Sequence, residues 1–154
     1  MSGFSFTVPE NYGNVLAIAL GAIPLLSFIH GSVTAGQRKP AQVPYPHTYA
    51  TVEQCKANPA AERFNCAQRA HANFLENMPQ TIGTMLVAGL RFPTATTLLG
   101  LGWVASRVLF MYGYVYSGKP NGAGRYIGSG FWLCQGALWA LGLAVAWPMV
   151  KCAL

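Results

Sequence analysis

Residues 126–150, YIGSGFWLCQGALWALGLAVAWPMV, contain no Asp, Glu, Lys or Arg side chain. Residues 11–37, NYGNVLAIALGAIPLLSFIHGSVTAGQ, are equally free of these four residue types. Each segment is longer than the ~20 residues that an α-helix needs to cross a hydrocarbon core of ~30 Å. Both are therefore predicted to be transmembrane helices, and they indicate an all-α integral membrane fold.

The composition of the whole chain agrees with this prediction. Of its 154 residues, 53% are hydrophobic and only 9% are charged, against about 25% charged in an average soluble domain. A soluble domain of this size exposes too much surface to be covered by so few charges. The high hydrophobicity also excludes a disordered chain. The length favours a single domain over residues 1–154.

The middle of the chain is predicted to supply two more helices, which would complete a four-helix transmembrane bundle. Two apolar runs lie on either side of Arg91, and Pro93 suits the first turn of a new helix. Between the first and second helices lies a loop with several prolines and few aliphatic residues. The predicted helices span approximately residues 11–38, 64–90, 94–117 and 125–150, with residues 39–63 as the first loop.

The distribution of basic residues predicts the orientation of the bundle. Loops one and three share one side and carry six of these residues: Arg38, Lys39, Lys56, Arg63, Lys119 and Arg125. The opposite side carries Arg91 and Lys151. The excess places the two loops in the cytoplasm. The net charge of +6 then reflects topology and anionic lipid, and no nucleic-acid partner is expected.

Polar side chains in the two middle helices recur at helical spacing. The second helix places four of them on one face: Arg69, Asn73, Glu76 and Asn77. His71 points away from that face. The third helix repeats the spacing with Arg107, Phe110, Met111 and Tyr114. Because the second helix begins and the third ends on the cytoplasmic side, both sets are expected to meet in the cytoplasmic half of the bundle.

Two interpretations of these polar groups remain open. Glu76 could pair with Arg69 or with Arg107 and lock the bundle without any ligand. Alternatively, the groups form a binding site, because ionisable residues inside a membrane cost a few kcal/mol each and usually mark function. The excess of positive charge would suit a small zwitterion with additional carboxylates, such as glutathione, which arginine binds through its bidentate fork.

The chain resembles the membrane-associated proteins in eicosanoid and glutathione metabolism. Residues 63–79, RFNCAQRAHANFLENMP, resemble the second-helix signature of that family. Residues 107–114, RVLFMYGY, followed by YSGKP at 116–120 and by Arg125, resemble its third helix and the loop after it. Tyr12-Gly13 and the VPYP at residues 43–46 echo its beginning, so the resemblance spans nearly the whole chain.

The resemblance implies a homotrimer that holds glutathione between neighbouring protomers. Arg69, Asn73 and Glu76 would bind the carboxylates, backbone and ammonium of the tripeptide. Arg38 and His71 would reach it from the adjacent subunit, and Tyr114 would pack against it. Arg125 matches the arginine that faces the thiol. Lys39 stands on the side of the hydrophobic substrate.

The implied chemistry is glutathione transfer and glutathione-dependent peroxidase activity, with leukotriene C synthesis a further possibility. A guanidinium beside the sulfur lowers the pKa of the glutathione thiol, and the thiolate is the nucleophile. Lipophilic electrophiles or lipid hydroperoxides would be the second substrates. The implied location is the endoplasmic reticulum, or the nuclear envelope or mitochondrial outer membrane. The alternative function is a non-catalytic lipid-binding membrane protein on the same scaffold.

The sequence departs from the family pattern at two positions, and two further features are minor. Asn77 and Phe110 stand where relatives have Tyr, which removes two phenols near the ligand. His30 and His47 have no companions at metal-ligand spacing, so no metal site is expected. Cys152 is a candidate for palmitoylation.

Overall fold

The structure is a computed structural model that describes residues 7–151, and within these residues all regular secondary structure is helical, with no strand. Cys152 lies outside the described residues. The elements in chain order are α1 (Tyr12–Leu16), a π-helical turn (Ala17–Ala22), α2 (Ile23–Ala41), α3 (Val52–Ala57), α4 (Pro59–Gly89), α5 (Pro93–Tyr116), a 3₁₀ segment (Pro120–Gly128) and α6 (Phe131–Lys151).

The first three elements form one continuous helical rod over Tyr12–Ala41. The π-helical turn lies directly before Pro24, the second residue of α2. Proline has no backbone N–H, so the regular helical hydrogen bond to Leu20 cannot form at this point. A local widening of the helix accommodates such an interruption.

Among residues 7–151, three helical segments are long and apolar enough to cross a membrane: Tyr12–Ala41, Pro93–Tyr116 and Phe131–Val150. The central helix α4 has 31 residues, which corresponds to ~46 Å at ~1.5 Å per residue. Between positions 62 and 76 this helix carries Glu62, Arg63, Arg69 and Glu76, and these charges make α4 too polar to be counted with the three apolar segments.

Helix α4 lies at the centre of the bundle and packs against α2, α5 and α6. The main core is formed where these helices meet, by fully buried side chains that include Phe74, Met85, Trp103 and Leu138. The Tyr12 hydroxyl donates a hydrogen bond of 2.9 Å to the Leu86 carbonyl. This bond ties the start of α1 to the far end of α4.

The first connection differs from the loop predicted at residues 39–63. Helix α2 continues to Ala41, α4 begins at Pro59, and α3 lies between them. A capping box at the start of α3 explains the extra helix, because Thr51 and Gln54 each bond the backbone N–H of the other. Asn58 then caps α4, and Pro59 occupies its first turn.

The last helix begins at Phe131, whereas the sequence predicted a start near residue 125. The intervening 3₁₀ segment folds back against α5. A Cβ atom added at Gly124 would lie 1.9 Å from the Gly113 carbonyl oxygen, and one at Gly128 would lie 2.1 Å from the Phe110 nitrogen. Only glycine permits so close a backbone approach, and Arg125 therefore lies on a segment pressed against α5.

Arg91, in the turn between α4 and α5, forms a hydrogen bond with the backbone of α6. The Arg91 guanidinium donates a hydrogen bond of 3.1 Å to the Ala144 carbonyl. In a regular helix that carbonyl would accept from the residue four positions later, which is Pro148, and proline has no N–H. Arg91 thus satisfies a carbonyl that the helix itself leaves free.

Candidate functional site

The outer face of α4 carries a network of three side chains. Arg69 and Glu76 form an ion pair with a nitrogen–oxygen distance of 2.7 Å and a second contact of 3.4 Å. The Asn73 amide nitrogen lies 3.5 Å from the second carboxylate oxygen of Glu76. The side chains of the ion pair are 45% and 55% exposed. We call Arg69, Asn73 and Glu76 the outer network.

This ion pair does not lock the bundle. Arg69 and Glu76 lie two turns apart on the same helix, so their attraction holds no second helix in place. The interpretation of the polar groups as a bundle lock also allowed a pair between Arg107 and Glu76. Within residues 7–151 the structure forms no such pair. The Glu76 carboxylate therefore stays on the surface with Arg69.

The inner side of α4 meets Arg107 of α5. Arg107 is fully buried and donates a hydrogen bond of 2.7 Å from its NH1 group to the Asn73 side-chain oxygen. Four aromatic rings surround the guanidinium, with centroids 4.4–5.6 Å from its carbon. The rings belong to Phe74, Trp103, Phe110 and Phe131. We call Arg107, the four rings and the hydrogen bond from Arg107 to Asn73 the inner network.

Tyr114 lies at the end of α5, beside the outer network. Its phenol is close enough to Arg69 and Arg125 to interact with both positive charges. Its ring packs edge-on to Phe110 at a centroid distance of 5.6 Å. A Cβ atom at Gly122 would lie 2.4 Å from this ring, so the absence of a side chain there lets Tyr114 rest on the 3₁₀ segment.

Arg125 is held by its own segment. Its guanidinium donates to the carbonyls of Asn121 at 3.0 Å and Gly122 at 3.1 Å, and to the Tyr126 hydroxyl at 2.8 Å. The residues Asn121 and Gly122 both have positive φ angles, a conformation that favours asparagine and glycine. This turn therefore fixes the base of the Arg125 side chain close to Tyr114.

Arg38 lies in the last turn of α2, and His71 lies on the side of α4 that faces α2. His71 faces Gly31, and its ring centroid is 6.3 Å from that of His30. Arg38 donates to the His47 carbonyl at 2.7 Å and stacks on Tyr45 at 4.0 Å. In the described part of the chain neither residue forms a hydrogen bond or ion pair with the outer network.

The exposed Lys39 lines an open groove beside Arg38, together with Gln42 and Tyr45. The structure thus divides the predicted site residues into two groups. One group contains Arg69, Asn73, Glu76, Tyr114 and Arg125. The other contains Arg38, Lys39 and His71.

The two positions that depart from the family pattern both turn inwards. Asn77 is 4% exposed, donates a hydrogen bond of 2.8 Å to the Asn73 carbonyl and accepts one from Gln80. Phe110 is buried and contributes one of the rings around Arg107. Among the described residues, neither side chain forms a hydrogen bond with the side chains of the outer network; Asn77 bonds only the backbone carbonyl of Asn73 there.

Sequence reasoning missed two features of this region. The bond between Arg107 and Asn73 joins two residues that helical spacing placed near each other without pairing them. Tyr49, in the first connection, lies within electrostatic range of both Arg69 and Tyr114. Its position in a proline-containing loop gave no periodic signal that could have assigned it to the site.

A cavity of about 390 Å³ opens next to Tyr114, between the start of α4 and the 3₁₀ segment. Its walls include Cys55, Glu62, Cys66 and Lys119. Partial burial and the neighbouring Glu62 carboxylate raise the pKa of the Cys55 thiol. A raised pKa favours the neutral thiol, which is a poor nucleophile. Cys55 is therefore not an activated nucleophile in this cavity.

A comparison with known protein families identifies a match over most of the chain. The model of the MAPEG family, the membrane-associated proteins in eicosanoid and glutathione metabolism, matches residues 16–144. The matched region covers most of the chain and includes both networks, Tyr114 and the segment that holds Arg125.

Proposed function

This chain belongs to the MAPEG family, and from that premise we propose that it is a membrane-bound glutathione transferase that also reduces lipid hydroperoxides. Members of this family include glutathione transferases, peroxidases and leukotriene synthases. Within the family we propose a protein of the type 3 microsomal glutathione transferase kind, because residues 63–79 resemble its second-helix sequence. We further propose that α4 crosses the membrane together with the three apolar segments, which gives four membrane-spanning helices. The membrane that we propose is that of the endoplasmic reticulum.

The outer network is the observation that carries this proposal. Arg69 and Glu76 present a positive and a negative charge side by side, and both are about half exposed. Glutathione carries two carboxylates and one ammonium, so each end of the tripeptide finds a partner of opposite charge. An incoming ligand exchanges one ion pair for others and does not have to break a buried contact.

The second group of site residues supports assembly from several copies. Arg38 and His71 lie away from Arg69 on the same chain, although the family resemblance assigns all three to one ligand. A second copy of the chain would bring its own Arg38 and His71 to the outer network. We therefore propose a homotrimer with one glutathione at each subunit boundary.

Arg125 is the residue to which we assign activation of the thiol. In its segment the guanidinium lies near Tyr114 and is braced by two carbonyls and the Tyr126 hydroxyl. A fixed positive charge next to sulfur stabilises the thiolate and lowers the pKa of the glutathione thiol. No cysteine of the protein takes part.

The thiolate then reacts in one of two ways. With an electrophilic carbon, a carbon–sulfur bond forms and the leaving group departs with its electron pair. With a lipid hydroperoxide, sulfur attacks the O–O bond, and two glutathione molecules yield glutathione disulfide, the lipid alcohol and water. The apolar substrate enters from the lipid, on the side where Lys39 stands.

Binding and turnover by the purified protein in detergent test this proposal. Difference absorbance in the ultraviolet would measure thiolate formation on addition of glutathione. Turnover would be measured with chlorodinitrobenzene as the electrophile and with a fatty-acid hydroperoxide. We expect a thiolate signal that saturates with glutathione, followed by turnover of at least one second substrate.

Two outcomes would contradict the proposal. Absence of glutathione binding would exclude both activities. Binding of lipid without any thiolate signal would favour the alternative of a non-catalytic lipid-binding protein. Arg63→Gln is a suitable control variant, since Arg63 is an exposed arginine of α4 outside the outer network.

A further inference from the structure

The side-chain amide of Asn73 lies between the two networks. Its oxygen accepts the 2.7 Å hydrogen bond from Arg107, and its nitrogen lies 3.5 Å from the Glu76 carboxylate. A guanidinium can only donate hydrogen bonds, and a carboxylate in its charged form can only accept them. The two neighbours therefore select the same orientation of the amide, with oxygen inward and nitrogen outward.

Arg107 itself has little freedom to move. It is fully buried, and four aromatic rings surround its guanidinium at 4.4–5.6 Å. Its Nε and NH2 groups make no hydrogen bond within residues 7–151, so Asn73 is its single hydrogen-bond partner there. A buried arginine with one anchor and an aromatic enclosure holds that anchor in one geometry.

We propose that Arg107 is a positioning residue that fixes Asn73 as a hydrogen-bond donor to the ligand. The inference rests on the proposed function, because the ligand is glutathione bound at the outer network. With its oxygen occupied by Arg107, Asn73 presents only N–H groups to the surface. Its partner on the tripeptide is then a carbonyl or carboxylate oxygen, not a peptide N–H.

Equilibrium binding of glutathione to the full-length protein in detergent tests this inference in a double-mutant cycle. Asn73→Ala and Arg107→Met each remove one member of the pair, and methionine fills much of the space within the rings. We expect about a tenfold loss of affinity from each single variant. The double variant should lose no more than either one, because Arg107 acts through Asn73.

A merely structural role of Arg107 predicts a different pattern. The two losses of affinity would then multiply in the double variant, and that result would overturn the inference. An unchanged affinity of Arg107→Met would overturn it as well. Failure of the wild-type protein to bind glutathione would instead contradict the proposed function, and the inference with it.

Asn73→Asp provides a test that leaves Arg107 and the core intact. The new carboxylate accepts the Arg107 hydrogen bond in nearly the same shape but has no N–H to offer. The stronger charged bond to Arg107 is opposed by repulsion between the new carboxylate and Glu76, 3.5 Å from the replaced nitrogen. We therefore expect this variant to unfold near the wild-type temperature and to bind glutathione at least about tenfold more weakly. Wild-type affinity in Asn73→Asp would overturn the donor role of Asn73.

Discussion

The two arginines that flank Asn73 have opposite environments. Arg69 is about half exposed and pairs with a carboxylate on its own helix, whereas Arg107 is fully buried and bonds a neutral amide on another helix. An exposed ion pair contributes about 0–1 kcal/mol to stability. The fully packed contact of Arg107 contributes to helix association. The outer network is thus assigned to direct contact with the ligand, whereas Arg107 is assigned to stability and acts on binding only through Asn73.

Truncation of each arginine tests this division, and the largest effect on stability is expected at Arg107. We expect Arg107→Ala to lower the free energy of unfolding by about 3 kcal/mol, since it leaves a cavity among four aromatic rings. Arg69→Ala should lower it by less than about 1 kcal/mol. Denaturant unfolding in detergent, followed by helical circular dichroism, measures both. Equal losses for the two variants would show that burial does not separate their roles.

A third arginine, Arg125 of the 3₁₀ segment, extends the comparison from binding to turnover. We expect Arg125→Ala to reduce turnover about 100-fold, which corresponds to ~2.7 kcal/mol of transition-state stabilisation. Glutathione affinity should change far less, because other residues bind the tripeptide. Steady-state kinetics measures the loss of turnover, and equilibrium binding measures the loss of glutathione affinity. The ratio of the two losses tests the assignment.

Lys119→Ala is the matched control for this variant. Lys119 is an exposed cation that directly precedes the same 3₁₀ segment and that no step of the mechanism uses. Full turnover by Arg125→Ala, or an equal loss in Lys119→Ala, would remove the thiolate role from Arg125.

Glu76 tests the outer network with a smaller change. Glu76→Gln keeps the shape of the side chain and removes its charge, so the attraction for the glutathione ammonium weakens. We expect about a tenfold loss of glutathione affinity, or ~1.4 kcal/mol. The free energy of unfolding should stay within about 1 kcal/mol of wild type, because the ion pair with Arg69 is exposed. A large loss of stability with unchanged affinity would reverse the assignment of the two networks.

The helical fold of this chain could be predicted from its charge-free segments, and most of the outer network from helical spacing. The periodic positions of Arg69, Asn73 and Glu76 place them on one face whatever the neighbours are. The interhelical bond of Arg107 could not be assigned in the same way. It depends on the rotation of α5 against α4, which is set by the packing of several aromatic rings.

The two connections were predicted less well, for local reasons. The prolines of the first connection predict a loop, yet Thr51, Gln54 and Asn58 supply caps that start two helices within it. The charge-free run of residues 126–150 predicts that the last helix begins near Arg125. The close approach of Gly124 and Gly128 to α5 is a tertiary contact that the sequence leaves open.

Arg91 shares one property with Arg69 and another with Arg107, and we expect its replacement to change the free energy of unfolding least. It is exposed like Arg69, but its bond to the Ala144 carbonyl joins two elements, as the bond of Arg107 does. We expect Arg91→Gln to lower the free energy of unfolding by less than about 1 kcal/mol. In Pro148→Ala, the helix regains the N–H that this carbonyl lacks, so adding Arg91→Gln to that variant should cost nothing further. A loss near that of Arg107→Ala would mean that connection between helices, and not burial, determines what an arginine contributes to this fold.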